Sequence, residues 1–204
     1  MAFLDLLAGR RRRTLPIFPL GTVLFPRSLL PLRIFEARYM DMAKACLRES
    51  SPFGVCLIRE GQEVGAPAVP EPVGCVARIV DCDMQELGIL KVKAEGVERF
   101  RIVSSEVGKQ GLIVGEVEAL VAEPAVTDAP GLEECATFLR KVMTGIGEER
   151  FAAPFAFEDA TWVSFRLAEI LPLRMDVKQK LLELTDATLR IGILHKFLRQ
   201  QSLI

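Results

Sequence analysis

Few residues of the chain combine the type and the spacing that catalysis requires. The single histidine, His195, lies among apolar residues near the C-terminus, where a packed or helix-end imidazole is far more common than a catalytic one. Acidic residues come in close pairs, which can do acid–base chemistry only where burial or proximity separates their pKa values. We expect no catalysis from these pairs: Asp81 with Asp83, Glu133 with Glu134, and Glu158 with Asp159.

The sequence also lacks the signatures of metal, nucleotide and serine-nucleophile sites. One histidine cannot supply an H-E-x-x-H pair, and no two cysteines form C-x-x-C, so we expect no metal site. There is no G-x-S-x-G elbow and no G-x-x-x-x-G-K-[ST] phosphate loop. Gly145 and Gly147 follow a helical segment, where they indicate a helix end and not a nucleotide loop. The sequence therefore predicts no cofactor and no enzymatic activity.

The cysteines and the apolar segments indicate the cellular compartment. The five cysteines are an odd number and lie mostly among apolar residues, so we expect reduced, buried thiols and a cytoplasmic location. They are Cys46, Cys56, Cys75, Cys82 and Cys135. The apolar N-terminal residues precede the basic ones, the reverse of a secretory signal, and no apolar run is long enough for a membrane span. A short amphipathic helix on a membrane surface is the alternative.

The charge balance disfavours nucleic acid as a partner. Lys and Arg total 26 against 27 Asp and Glu, a net charge of -1, whereas duplex binding usually needs a concentration of basic groups. The only dense basic run is Arg10 to Arg13. We interpret it as a solvated, mobile tail, with a local anchor to an anionic partner as the alternative.

From about Thr14 to Val121 the pattern is typical of strands. Gly88, Gly96 and Gly111 fall between apolar runs, where they predict turns. Runs that contain proline should be edge strands or strand ends, because proline cannot donate to a ladder. Six or more short strands predict a barrel or a sandwich. The predicted runs are Pro16–Leu20, Leu29–Ile34, Phe53–Ile58, Val73–Val80, Ile89–Ala94, Val97–Val103 and Leu112–Val121.

Helical spacing appears once inside this half and throughout the second half. Asp176 and Gln179 resemble a capping box, and Thr161 to Leu171 is apolar nearly all round, as in a buried central helix. The last helix should turn Leu189, Ile193, Phe197 and Leu198 inward. The predicted helices are Phe35–Glu49, one ended by Gly145 and Gly147, Thr161–Leu171, Val177–Leu184 and Ala187–Gln201.

Several ordered blocks resemble the Lon protease N-terminal domain family. They are LPIFPL at residues 15–20, VLFP at 23–26, LPLRIFEARY at 30–39 with Met42, GCVARI at 74–79 and GVERFRI at 96–102. In the helical half, Leu167 to Leu173 and Val177 to Leu184 are similar to the family's Leu-Pro and Lys-Gln-x-Leu-Leu-Glu segments. The resemblance covers about Thr14 to Leu198.

The resemblance implies an α+β fold, with a PUA-like β-barrel subdomain that contains one inserted helix, followed by a C-terminal four-helix bundle. We accordingly divide the chain into an N-terminal extension (1–13), the barrel (14–122) and the bundle (123–204). It also implies recognition of unfolded or tagged polypeptides, in association with a proteolytic or chaperone machine. The family's full protease continues into an ATPase module and a Ser-Lys peptidase, and we expect neither activity of this chain.

Five residues of the signature are candidates for polypeptide binding: Arg33, Phe35, Glu36, Arg38 and Tyr39. Glu36 starts a predicted helix, where its carboxylate interacts with the helix dipole, and either arginine could pair with it. One interpretation is a salt bridge that stabilises the fold. The other places all five residues on a surface that contacts extended peptide.

A polypeptide would then bind in an apolar groove between barrel and bundle. The proline-rich segment Glu60 to Pro72 would form the rim of that groove, since long loops in compact domains tend to be functional. A second hypothesis, RNA or modified-base binding through a PUA-like barrel, needs a basic face with stacking aromatics, yet the chain has one Tyr and one Trp. A third is a structural or self-associating subunit, such as a homodimer.

Overall fold

A computed structural model describes residues 12–86, 88–108 and 110–204. Within these ranges seven strands and one helix come first along the chain, and four α-helices follow. The strands are β1 (Arg12–Leu20), β2 (Leu29–Ile34), β3 (Phe53–Glu60), β4 (Val69–Pro70), β5 (Val73–Glu86), β6 (Ile89–Val107) and β7 (Ile113–Ala119). The helices are α1 (Ala37–Glu49), α2 (Leu132–Ile146), α3 (Ala160–Ile170), α4 (Met175–Glu183) and α5 (Ala187–Gln200).

Five of the strands form a closed ring of backbone pairings. β1 pairs with β7, β7 with β6, β6 with β5 and β5 with β3, all antiparallel, and β3 returns to β1 in a parallel pair. β2 lies outside this ring and pairs with the first half of β6, from Leu29 opposite Glu95 to Ile34 opposite Leu90. Among the described strands, only β6 pairs with β2, which makes β2 an edge strand.

Prolines in β1 lie where the strand changes partners. Pro16 is in register with β7 and Pro19 with β3, and the two pairings overlap only at Ile17. Each proline therefore has a paired strand on one side only. The other side of its backbone faces no strand, so the missing N–H removes no ladder hydrogen bond there. The prediction of edge strands holds for β2, whereas β1 is paired along both of its halves.

The turn predicted at Gly96 is wrong, because Gly96 lies inside β6. The connection between β1 and β2 crosses β6 there: Arg27 N–H donates to the Gly96 carbonyl at 2.7 Å, and Gly96 N–H donates to the Ser28 carbonyl at 2.9 Å. A Cβ atom at Gly96 would lie 2.1 Å from the carbonyl oxygen of Phe25. The glycine is thus required for close approach of two backbones, and the two predicted strands are one.

The N-terminal basic run is partly inside the fold. Arg12 and Arg13 belong to β1 and pair with Glu118 at 2.9 Å and with Glu98 at 2.6 Å. The remainder of the predicted mobile extension, residues 1–11, lies outside the described residues.

The helical part is arranged around α3, as the sequence predicts. α3 packs against α2, α4 and α5, and its side chains Trp162, Val163, Phe165 and Leu167 are buried. None of the helices within the described residues has the length and apolar character needed to cross a bilayer.

The predicted inward face of α5 is wrong in part. Leu189 and Ile193 are 52% and 44% exposed. The helix is rotated about its axis relative to the prediction, because the long side chain of Arg190 occupies a fully buried position. The buried apolar residues of α5 are Ala187, Ile191, Leu194 and Leu198.

The predicted capping box of α4 is also wrong. Arg174 is the N-cap residue and makes no side-chain capping bond, while Asp176 pairs with the Arg174 guanidinium at 2.8 Å. Gln179 is buried and donates to the carbonyl of Val73, at the start of β5, at 3.0 Å. The glutamine that looked like a capping residue therefore connects α4 to the strands.

A buried ionic network joins the two parts of the chain. Glu123 pairs with Arg99 of β6 at 2.6 Å and with Arg190 of α5 at 2.7 Å, and the three side chains are at most 5% exposed. Both guanidinium groups also donate to the carbonyl of Leu184, and Arg190 stacks over Phe165, 4.0 Å from the ring centre. Burial lowers the pKa of Arg99, and the Glu123 carboxylate opposes that shift. We call Arg99, Glu123 and Arg190 the Glu123 network.

A second buried arginine fixes the connection that leads into β2. Arg166 of α3 donates to the carbonyl groups of Pro26 (2.8 Å) and Arg27 and to Ser28 Oγ (2.7 Å). Its Nε lies 3.1 Å from a carboxylate oxygen of Glu169. Because α3 binds three consecutive residues just before β2, the position of β2 depends on the helical part.

We predict that Glu123→Gln lowers the free energy of unfolding by about 3–5 kcal/mol, because it leaves two buried guanidinium groups without a shared carboxylate. Urea denaturation followed by circular dichroism measures this. Asp176→Asn is the matched control: its pair with Arg174 is exposed, so we expect a loss of no more than about 1 kcal/mol. Equal effects of the two substitutions would contradict the assigned role of the network.

The thiols give a second prediction, since Cys82 is exposed and the other four cysteines are buried. Burial raises the pKa of the Cys46 and Cys56 thiols, and raises the pKa of Cys75 and of Cys135 to about 12. A thiol reacts as its thiolate, so near neutral pH these four should be inert. We expect a chromogenic disulfide reagent to modify one thiol in the native protein and all five in denaturant. Rapid reaction of more than one native thiol would contradict this.

Candidate functional site

A groove of about 310 Å³ runs along the open edge of β2. Residues 30–36 form one of its sides, and Phe18, Leu20 and Thr22, from the end of β1 and the turn after it, form another. Tyr39 of α1 and the loop residues Glu63 and Val64 complete the lining. We call this the β2 groove.

Four of the five predicted binding residues line the β2 groove: Arg33, Phe35, Glu36 and Tyr39. The fifth, Arg38, lines an adjacent recess of about 340 Å³ together with Gly65 and Gly111. The structure therefore brings together residues that the sequence places within one short segment, and adds apolar residues from β1 and the loop.

Phe35 is the most accessible large apolar side chain of the predicted set. It is 56% exposed, and Val64, which also lines the groove, is 53% exposed. Phe35 follows the last residue of β2 and precedes the first turn of α1, so neither the sheet nor the helix buries it. The helix predicted from Phe35 therefore begins at Ala37, and Phe35 remains outside it at the rim of the groove.

Tyr39 and Arg38 are buried and support the groove from beneath. The Tyr39 ring stacks on Phe18, with ring centres 4.0 Å apart, and the Arg38 guanidinium lies 4.6 Å from the Tyr39 ring centre. Burial raises the pKa of the Tyr39 hydroxyl. These two side chains form a stacked base whose geometry holds the start of α1 against β1.

The salt bridge considered from the sequence is present between Glu36 and Arg38, at 3.0 Å. The same Glu36 oxygen accepts from Gly65 N–H at 3.3 Å, and Arg38 also donates to the Gly111 carbonyl at 3.1 Å. Glu36 is the N-cap residue of α1, yet its side chain makes no capping bond and reaches the loop instead. The pair thus ties the loop after β3 and the turn before β7 to the start of α1.

The loop after β3 is held at a second point. Glu63 accepts a hydrogen bond from Gly21 N–H at 2.5 Å. Gly61 and Gly65 have φ angles of +99° and +97°, which other residues rarely adopt, so they allow the loop to turn beside the groove. The segment Glu60 to Pro72, which the sequence predicts at the rim of a groove between barrel and bundle, lines the β2 groove through Glu63 and Val64.

The β2 groove and the predicted groove between the two parts of the chain are different places. The β2 groove is lined by strand-part residues and α1. A separate cavity of about 610 Å³ lies between the strands and α4, where Leu57 and Glu63 face Met175 and Asp176. None of the five predicted residues lines that cavity, so the signature and the boundary between the two parts are distinct places.

The acidic pairs and the histidine do not converge in the β2 groove. His195 is partly buried and its Nε2 lies 2.7 Å from Glu134, whose pKa is lowered by that hydrogen bond. Within the described ranges, no three side chains of metal-binding type come together. The β2 groove itself offers apolar walls, backbone and a few charged rim groups, an arrangement that can bind a chain.

Comparison with known proteins identifies the family. A model of the substrate-binding domain of ATP-dependent protease La (Lon) matches residues 14–200. This chain belongs to the Lon substrate-binding domain family. The resemblance expected from the N-terminal blocks is confirmed, and the Lon substrate-binding domain is a non-catalytic domain.

Solved structures agree with this assignment. A Lon N-terminal domain protein from Xanthomonas campestris is 36% identical with a TM-score of 0.75, over 89% of this chain and 96% of that one. The N-terminal domain of Mycobacterium avium complex Lon protease shares the fold, with 18% identity and a TM-score of 0.65, over 89% of this chain and 96% of that one. The fold is accordingly a mixed α and β Lon N-terminal fold.

We predict that Glu36→Ala lowers the free energy of unfolding by about 1–3 kcal/mol, because it removes the bonds to Arg38 and Gly65 and leaves the buried Arg38 guanidinium without a carboxylate. Amide exchange at Gly65 should accelerate, which NMR can measure. Glu49→Ala is the matched control: its pair with Arg48 is exposed, so little change is expected. Unchanged exchange at Gly65 would show that Glu36 does not hold the loop.

Proposed function

We propose that the protein is a non-catalytic recognition module that binds unfolded or tagged polypeptides in the β2 groove. The observation that carries the proposal is the exposed Phe35 at the rim of an apolar groove, in a member of a substrate-binding domain family. Unfolded chains differ from folded ones in displaying apolar side chains. A groove of this kind recognises that difference, since burial of apolar area is the main favourable term in association.

The five signature residues have two roles in this proposal. Phe35 and Arg33 are exposed and contact the bound chain, with the aromatic ring as the anchor that such interfaces favour. Glu36, Arg38 and Tyr39 hold the start of α1 and the loop in place, so they act on binding through geometry. Both interpretations of the signature, fold support and peptide contact, therefore apply to different members of the set.

We also propose the finer architecture that the resemblance implies. The ring of five strands supports a PUA-like barrel for residues 14–122, and the packing of α2, α4 and α5 around α3 supports a four-helix bundle for residues 123–204. Since β1 already begins at Arg12, the extension would be limited to residues before it.

The proposed partners follow from the family. A substrate-binding domain of an ATP-dependent protease family supports association with a proteolytic or chaperone machine in the cytoplasm, and a homodimer through exposed residues of α5 is compatible with this role. RNA binding through the barrel has less support. The single Tyr and the single Trp, which stacking on bases would use, are both buried.

The proposal predicts that Phe35→Ser weakens binding of a permanently unfolded, carboxymethylated protein by about tenfold or more, equivalent to about 1.4 kcal/mol of lost contact. Fluorescence anisotropy with a labelled unfolded protein measures the affinity. Val121→Ser is the control, because Val121 is 73% exposed and does not line the β2 groove.

Both variants should unfold at the same denaturant concentration as the parent, since neither side chain is in the core. Equal affinity of the Phe35 and Val121 variants would remove the β2 groove from the proposal. Absence of binding by the parent protein would overturn polypeptide recognition altogether.

A further inference from the structure

The loop after β3 leaves the sheet and rejoins it at neighbouring points. Glu60, the last residue of β3, lies opposite Val69, the first residue of β4. A Cβ atom at Gly61 would lie 3.2 Å from the Cα atom of Ala68, which is buried. Between these anchored ends, residues 61–67 are exposed along their whole length. We call residues 61–67 the strap, a compact loop of the kind that is frequently functional.

Three hollows lie along the strap. They are the β2 groove, the adjacent recess of about 340 Å³ and the cavity of about 610 Å³ between the strands and α4. The strap residues that line them are Glu63 and Val64 in the groove, Gly65 and Pro67 in the recess, and Gly61, Gln62 and Glu63 in the cavity. An exposed segment beside unfilled space has little packing to lose when it moves, so its local opening costs little free energy.

Two side-chain hydrogen bonds hold the strap in its observed position. Gly21 N–H donates to Glu63 at 2.5 Å, and Gly65 N–H donates to Glu36 at 3.3 Å. The second bond is longer than the usual range for N–H and oxygen. Glu36 also pairs with Arg38, so its carboxylate keeps a cationic partner if Gly65 moves away. The bond at Gly65 is therefore the one that can be released at little cost.

Gly65 also has the backbone conformation of a pivot. Its φ angle is +97°, a region that glycine adopts freely and other residues rarely adopt. Apart from its neighbours in the chain, no heavy atom of the described residues would lie within 4 Å of a Cβ atom at this position. Rotation about the Gly65 backbone therefore meets no nearby obstacle.

Val64 and Phe35 supply a reason for the strap to move. Both side chains line the β2 groove, and both are more than half exposed in the observed position. Val64 precedes Gly65 in the chain, so rotation at Gly65 changes its position. When an apolar segment lies in the groove, movement of Val64 towards it buries apolar area on the strap, on Phe35 and on the segment, which is favourable. Without such a segment there is no comparable gain.

We propose that the strap closes over a polypeptide that is bound in the β2 groove. Gly65 is the pivot, and its hydrogen bond to Glu36 is the latch that is released. Val64 then contacts the bound segment from the side opposite Phe35. Closure retains a chain that has already entered, so the strap controls release of the polypeptide. This inference rests on the proposed function and adds regulation to the same site.

A pair of spin labels tests the movement directly. One label is attached to the strap through Ala66→Cys and the other to α2 through Lys141→Cys, in a Cys82→Ser background that leaves only buried thiols besides these two. In the control pair, Val69→Cys in β4 replaces the strap label. Double electron–electron resonance measures the distance between the labels. On addition of carboxymethylated protein, we expect the distance from Ala66 to shift by several ångströms and the distance from Val69 to stay constant.

Gly65→Ala tests the pivot. The variant keeps the N–H that bonds to Glu36, but its side chain strains the φ angle of the latched position. Gly88→Ala is the matched control, because Gly88 has a φ angle of +81° and equally open surroundings in the turn between β5 and β6. We expect Gly65→Ala to bind carboxymethylated protein about fivefold more tightly, through slower dissociation, since the strained position is less costly to leave. Gly88→Ala should bind like the parent, and stopped-flow anisotropy measures both rates.

The results distinguish closure of the strap from the proposed function. If the parent binds carboxymethylated protein and the distance from Ala66 shifts no more than the distance from Val69, the strap is a fixed rim and polypeptide binding stands without closure. If the distance shifts but Gly65→Ala binds no more tightly than Gly88→Ala, the assignment of pivot and latch is wrong. If the parent does not bind, the proposed function fails and closure fails with it.

Discussion

The carboxylate of Glu123 is the point on which the arrangement of this protein depends. It pairs with two buried guanidinium groups, that of Arg99 in β6 and that of Arg190 in α5. Removing each ion from water costs several kcal/mol, and the attraction between the ions offsets this cost only when their geometry is good. Alternative packings of helices on strands would leave a charge without its partner. The network therefore connects β6 to α5 through one buried carboxylate.

The groove is a consequence of that fixed position. Arg166 of α3 holds Pro26, Arg27 and Ser28, and the close approach at Gly96 then places β2 on β6. β2 ends before α1 begins, and Phe35 remains between them at the surface. Glu36 and Arg38 attach the loop after β3 to the same place. The walls and rim of the β2 groove are thus formed by residues whose positions depend on buried charges elsewhere in the fold.

The sequence predicts which segments form strands and helices better than it predicts which face of each segment is buried. The bounds of β2 and the burial of α3 follow from apolar periodicity, and the family follows from blocks that contain proline and glycine at fixed places. Gly96 was assigned to a turn because the sequence alone does not distinguish a turn glycine from one that allows two backbones to approach closely. The buried face of α5 was predicted wrongly because it contains Arg190, which pairs with a carboxylate distant in sequence, Glu123. The β2 groove was not predicted, because the open edge of β2 exists only once β2 is paired with β6.

Closure of the strand ring has a consequence for how the protein folds. The first half of β1 pairs with β7, in register from Arg12 opposite Glu118, so its partner lies about a hundred residues later along the chain. During synthesis on the ribosome, that strand emerges long before the residues that complete it. Pairings this distant in sequence form slowly and expose apolar edges in the meantime. Until β7 has emerged, the first half of β1 therefore lacks the strand that completes its pairing.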